Sequence, residues 1–256
     1  MRHRLNPTSR ALLLALIPLA FMSRAHAGET TQPSTQPSRE SLPVNVFKSL
    51  KEGKKQTVIV YGTSLTINGA WTKSVNEYFD KQFPGQVTFV NAAKAGMHSD
   101  WGVENLKERV LAKKPDLVFI EFSMNDAATK NNVSQEKSEA NLDKMVKALR
   151  EQNPQVDIVL QTMNVPWDSP QTPDKKYGSE RPELAAYYEV YRRYAREHDL
   201  PLVDNYPTWL KLQKEKPEDY QKMVSDGIHP HSSPSVAVTW PAVEALLEKA
   251  RAAAAQ

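Results

Sequence analysis

The chain has 256 residues, with 33 Lys and Arg against 30 Asp and Glu, a formal net charge of +3, 40% hydrophobic residues and no Cys. Four of the basic residues, Arg2, Arg4, Arg10 and Arg24, fall within the first 27 positions, where no acid stands; without them the acids outnumber the bases by one. A body so close to neutral excludes the broad basic face that nucleic acid or an anionic lipid surface requires, and a chain without Cys draws no stability from disulfides, so a packed core must supply it.

In chain order, the first element is a basic start followed by an apolar run over 11–22 and the small-x-small triplet Ala25-His26-Ala27. The run is too short to cross a bilayer as a stable span. The three parts together form a secretory signal over 1–27, cut before Gly28, which predicts a secreted or periplasmic protein with no stable membrane insertion afterwards. A short membrane anchor is the competing reading of the same residues. Residues 28–45 are rich in Thr, Gln, Pro and Ser with little to bury, the composition of a flexible linker. Residues 46–256 remain, enough for one domain with a sizeable core and too few for two.

Within that domain five short apolar runs, at 57–61, 87–91, 117–122, 156–161 and 202–204, alternate with segments of helical spacing. The runs are mostly continuous rather than alternating, as expected of strands covered on both faces of a parallel sheet. Between them, Trp71, Val75, Tyr78 and Phe79 share one helical face, as do Leu142, Met145, Val146 and Leu149. Leu184, Tyr187, Tyr188, Tyr191 and Tyr194 form a further stripe, which reads as a core-facing helix rather than a cofactor site. The alternation predicts an α/β protein, a three-layer α/β/α sandwich on a five-stranded parallel sheet. Ligands in such folds bind beyond the carboxyl ends of the strands.

Four polar blocks lie at those ends. Directly after the first run comes Tyr61-Gly62-Thr63-Ser64-Leu65-Thr66, with a serine on the turn that leaves the sheet. A phosphate-cradling loop is the rival reading, but the turn has a single Gly and no following Lys. After the second run stands Asn91-Ala92-Ala93-Lys94-Ala95-Gly96-Met97-His98, where Gly96 offers an unencumbered backbone N–H. After the third comes Phe122-Ser123-Met124-Asn125-Asp126, where the Asn125 amide can donate to an oxyanion. Near the carboxyl terminus is Val224-Ser225-Asp226-Gly227-Ile228-His229-Pro230. A carboxylate three residues before an imidazole can accept its Nδ1 proton and leave Nε2 free to take a proton from a hydroxyl. Pro230 keeps His229 out of a helix; Ser233 and Pro234 are expected as the N-cap and first residue of the last helix, which Pro241 kinks or restarts. Taken singly, each block also reads as ordinary turn chemistry.

In this order the four blocks resemble those of the SGNH (GDSL-like) hydrolases, and the resemblance extends from about residue 57 to the last helix. It implies the flavodoxin-like SGNH hydrolase fold, a nucleophile at Ser64, a base at His229 oriented by Asp226, and an oxyanion hole made by the backbone N–H groups of Ser64 and Gly96 with the Asn125 amide. No cofactor and no metal are implied. Two positions depart from the family pattern: Thr63 stands where an Asp is usual, and Ser123 where a Gly is usual.

Other residues suit lesser parts. His98 and Trp167 are candidates for substrate contact, Trp167 from a long loop over 163–182, with hydrogen bonding within a loop and simple packing as their alternatives. His231 is a rival base, His198 suits a helix end, and Asp126 a structural use. The function expected is that of an exported serine esterase working through an acyl-enzyme on short acyl esters, O-acetyl groups of carbohydrates among them. Its partner would be a small-molecule or saccharide ester, not nucleic acid. A lysophospholipase or thioesterase, and a non-catalytic glycan-binding module of the same fold, are the alternatives.

Overall fold

The computed structural model describes residues 41–256, so the expected signal and most of the expected linker lie outside the described residues. The five apolar runs become β1 (Gln56–Gly62), β2 (Val87–Asn91), β3 (Leu117–Glu121), β4 (Asp157–Thr162) and β5 (Leu202–Asp204). They pair in parallel in the order β2-β1-β3-β4-β5, the flavodoxin-like order. The chain leaves β1 toward β2 and then returns to the other side of β1 to make β3. The order therefore reverses between β1 and β3, and the crevice where ligands bind in such sheets opens above their carboxyl ends.

The helices in chain order are α1 (Val44–Lys51), α2 (Ser64–Ile67), α3 (Ala70–Gln82), α4 (Ser99–Arg109), α5 (Ser123–Asp126), α6 (Gln135–Gln152), α7 (Leu184–Glu197), α8 (Tyr206–Glu215), α9 (Pro217–Met223), α10 (Ser232–Pro234) and α11 (Trp240–Ala253). Strand side chains alternate between the two faces. Val58 and Val60 of β1 and Leu117 and Phe119 of β3 pack with α1, α3 and α11, while Ile59, Tyr61, Val118 and Ile120 pack with α4, α6 and α7. Both sides of the sheet are thus covered, and α1, α3, α6, α7 and α11 bury their apolar residues against it.

The Tyr stripe of α7 is core. Each of its phenols finds a partner, as buried tyrosines require: Tyr187 donates to Val133 O (2.6 Å), Tyr188 to Asn164 O (3.2 Å) and Tyr194 to Asp143 Oδ1 (3.1 Å), while Tyr191 accepts the Phe122 N–H (3.1 Å). None of the described helices is long and apolar enough to cross a membrane.

Three local expectations are corrected. Helix α1 begins at Val44, inside the stretch read as linker, because Val46, Phe47 and Leu50 bury against the first core cluster and Asp157 Oδ2 accepts the Val46 N–H at 2.8 Å. Strand β2 is only partly buried, since it is an edge strand with one neighbour. The last helical region begins two residues earlier than expected, with His231 rather than Ser233 at the N-cap position and the Ser235 N–H donating to His231 O (2.9 Å). Pro241 cannot donate to the carbonyl four residues back. A wider π-helical turn at Ser235–Thr239 precedes it, and α11 resumes at Trp240.

Candidate active site

Register puts Gly62, the last residue of β1, beside Glu121, the last of β3. A Cβ on Gly62 would stand 2.3 Å from Glu121 O and 2.6 Å from Thr66 Oγ1, so only glycine fits where the chain leaves the sheet. Thr63 is extended and caps α2, its Oγ1 accepting the Leu65 N–H at 3.2 Å. Asp and Thr are both good N-cap residues, so the replacement at this position preserves the turn that presents Ser64.

Glu121 completes the turn from below. Its Oε2 accepts from Thr63 Oγ1 (2.7 Å), the Thr63 N–H (3.2 Å) and Thr66 Oγ1 (3.2 Å), while Oε1 has no partner. The side chain is 1% exposed, and burial pushes its carboxyl up to about 7 against the pull of the threonine bonds. Sequence reading missed Glu121 even though a signal was there, a single acid closing the run Leu-Val-Phe-Ile-Glu-Phe. Ser123, the other departure, is fully buried and its hydroxyl finds no partner.

At the other end of the domain, Gly227 (φ +97°) turns the chain so that Asp226 faces back toward His229. Asp226 Oδ1 accepts the N–H groups of Ile228 (2.9 Å) and His229 (2.8 Å), and Oδ2 lies 2.6 Å from His229 Nδ1. Burial opposes ionisation of this carboxyl, but the two N–H groups and the His229 ring outweigh it and hold the carboxyl below its ordinary value. An ionised carboxylate accepts only, so Nδ1 carries the ring proton and Nε2 is the acceptor. His229 Nε2 lies 2.8 Å from Ser64 Oγ. His231, the rival base, pairs instead with Ser225 Oγ at 2.8 Å.

The middle blocks converge on the same edge of the sheet. Lys94 donates its N–H to Gly62 O (3.1 Å), and Asn91 Nδ2 reaches Thr66 O (3.3 Å), which pins the turn carrying Gly96 beside the turn carrying Ser64. Gly96 is exposed, with φ +78°. Asn125 is 5% exposed, and its Nδ2 donates to Met97 O at 2.9 Å, which ties the third block to the second. Asp126 is used structurally, accepting the Ser99 N–H (2.7 Å) and the Ser138 hydroxyl. His98 occupies the N-cap position of α4, with Nδ1 3.7 Å from Asp100 Oδ2. His198 caps the end of α7 and stacks on Tyr194 at 4.0 Å.

The loop over 163–182 is a strap across the segment that carries Asp226 and His229. Asn164 Nδ2 donates to Ile228 O (2.9 Å), Thr172 Oγ1 to Asp226 O (2.7 Å), the Trp167 N–H to Gly227 O (2.8 Å) and the Trp167 indole to Val224 O (2.7 Å). Trp167 thus packs against a small apolar cluster of Trp209, Tyr220 and Val224. It does not line the cavity of about 20 Å³ beside Ser64 and His229, which Leu65, Gly69, Met163, Pro230 and Thr239 help to enclose. Among the described residues no group of three His, Cys, Asp or Glu side chains is arranged to hold a metal ion.

The model of the GDSL-like Lipase/Acylhydrolase family matches residues 59–233. No curated protein sequence matches the chain. Several solved structures share its fold. A two-domain esterase active on acetylated mannans is 21% identical with a TM-score of 0.63 over 84% of this chain and 55% of its own, so this chain corresponds to about half of that protein. A catalytic mutant of an acetylxylan esterase from Geobacillus stearothermophilus is 20% identical, TM-score 0.60, over 76% of this chain and 94% of its own. A GDSL-like lipase from Bacteroides thetaiotaomicron is 18% identical, TM-score 0.59, over 80% of this chain and 99% of its own. At such identities the structural likeness speaks for the fold alone. The family match, which covers more than half the chain, speaks for the kind of protein: this chain belongs to the GDSL-like lipase/acylhydrolase family of serine ester hydrolases.

Proposed function

We propose that the protein is an exported esterase that removes short acyl groups, with O-acetyl groups on saccharides as its substrate class. The observation that carries the catalytic part is the unbroken chain Asp226 Oδ2 to His229 Nδ1 (2.6 Å) and His229 Nε2 to Ser64 Oγ (2.8 Å). Ser64 Oγ attacks the ester carbonyl carbon as its proton passes to His229 Nε2, and Asp226 stabilises the imidazolium that forms. The charge developing on the carbonyl oxygen is met by the N–H groups of Ser64 and Gly96 and by the Asn125 amide. Collapse of the tetrahedral intermediate breaks the bond to the alcohol, which leaves with the proton from His229. Water, deprotonated by His229, then hydrolyses the acyl-enzyme, releasing the acid and returning the proton to Ser64.

The small cavity beside Ser64 supports a short acyl group. About 20 Å³ is room for one group the size of a water molecule, which suits the methyl of an acetyl ester better than a long chain. Two proteins of the same fold are described by their activity on acetylated mannans and on acetylxylan, which supports the saccharide part. Export rests on the signal over 1–27.

A fluorophosphonate is expected to label Ser64, and purified protein is expected to cleave nitrophenyl acetate and to release acetate from acetylated xylan or mannan. Absence of labelling at Ser64 would overturn the catalytic assignment. Faster cleavage of decanoate than of acetate would overturn the substrate class while leaving the mechanism in place.

A further inference from the structure

Arg181 lies in the 163–182 strap and is 5% exposed. Its guanidinium donates three ways, from Nε to Met124 O (2.8 Å), from Nη1 to Tyr177 O (3.0 Å) and from Nη2 to Asn125 Oδ1 (3.1 Å). Burial lowers its pKa, an effect the nearby Glu180 carboxylate opposes. Burying a cation is unfavourable unless hydrogen bonds or an opposite charge compensate it, and here three acceptors do so.

The two ends of an Asn amide have the same shape, so packing alone does not choose between them; hydrogen-bond partners do. A guanidinium has only donors, and so accepts nothing from the Asn125 nitrogen. Oδ1 must face Arg181, and Nδ2 must face the other way, where it meets Met97 O, next to Gly96 in the chain. We propose that Arg181 is a positioning residue for ester hydrolysis, fixing the Asn125 amide with its N–H side toward the oxyanion. The reverse orientation would aim a carbonyl oxygen at the developing negative charge.

The same side chain braces the other half of the site. Arg181 stands over the Tyr177 ring at 5.7 Å, and Tyr177 meets the His229 ring edge-on at 6.4 Å, so one strap backs both the proposed oxyanion donor and the base. The strap is itself anchored by the Thr129 N–H donating to Glu180 O at 2.9 Å.

This inference rests on Asn125 being an oxyanion donor, and a double-mutant cycle separates the two claims. Asn125→Ala is expected to lower kcat on nitrophenyl acetate by about 10² to 10³. Arg181→Lys keeps the cation but not the fork, and is expected to lower kcat about tenfold with KM changed less than about threefold; on the Asn125→Ala background the same change should lower kcat by less than about threefold. An equal loss on both backgrounds, or wild-type kcat in folded Arg181→Lys, overturns the role of Arg181. Wild-type kcat in Asn125→Ala instead overturns the oxyanion assignment beneath it. Asn125→Asp needs no change at Arg181 and serves if the Lys variant does not fold: Arg181 would hold one carboxylate oxygen and leave the other facing the oxyanion, so its kcat should fall to or below that of Asn125→Ala. A higher kcat in Asn125→Asp than in Asn125→Ala overturns the inference.

Discussion

Ser64 Oγ and His229 Nε2 are 2.8 Å apart although 165 positions separate them in the chain. The sheet brings them together: Ser64 follows its second strand in spatial order, and His229 hangs from a segment that the 163–182 strap binds down over the same strand ends. If the three residues act as one relay, Ser64→Ala, His229→Ala and Asp226→Asn should each lower kcat by on the order of 10⁴ or more, and the Ser64→Ala/His229→Ala double variant should be little worse than either single one. Steady-state rates on nitrophenyl acetate check this, and a single variant that keeps a tenth of the wild-type kcat would sink the relay.

Gly227 offers a test of the strap. A Cβ there would stand 2.4 Å from Trp167 O, and φ is +97°, a conformation that side chains other than glycine resist. Gly227→Ala should therefore destabilise the fold by about 1–3 kcal/mol and also lower kcat, since Asp226 and His229 flank the turn that must shift. Thermal melts with parallel kinetics decide the matter; a variant with unchanged Tm and unchanged kcat would mean that the contact between strap and turn yields freely.

Glu121 and Asp157 give stability a dependence on pH. Burial pushes each carboxyl up to about 7, from ordinary values of 4.5 and 3.8. Their folded values lie above the unfolded ones, so between about pH 4 and pH 7 the folded chain holds more protons than the unfolded chain, and their contribution is lost as pH rises through that window. Asp226 acts in the opposite sense, its contribution being lost as pH falls. Glu121→Gln keeps an oxygen for Thr63 and Thr66 and removes one of the two titrations, so its Tm should decline less than that of the wild type between pH 5 and pH 8. Identical pH profiles of Tm for the two proteins would refute the assignment.

Met163 bounds the cavity beside Ser64 and is 2% exposed. Met163→Ala should lengthen that cavity, raising the ratio of butyrate to acetate cleavage while lowering stability by about 2–5 kcal/mol. An unchanged ratio in folded protein would show that the acyl group is held elsewhere.

Much of the site was legible because its signals are local. Gly62, Asn125 and the Asp226–His229 pair each sit within a few residues of a strand end or within one turn of chain, and residues so close in sequence constrain one another before any long-range contact forms. Trp167 was read correctly as loop but not as strap, because its partners Val224 and Gly227 lie some sixty positions away. Glu121 was passed over as part of an apolar strand, although an acid in a buried run always needs a partner. Arg181 carried no signal at all: one Arg in a polar, Pro-rich loop looks like any surface cation.

The sequence by itself determined the alternation of strand and helix, the parallel sheet that alternation demands and the order of the four blocks along it, since hydrophobic period and turn chemistry are properties of short segments. Only the tertiary structure decided that Glu121 lies under Thr63 and that Arg181 faces the Asn125 oxygen. Those choices depend on strand register and on the path of a long loop, where contacts between distant residues, not neighbours in the chain, set which polar atoms meet.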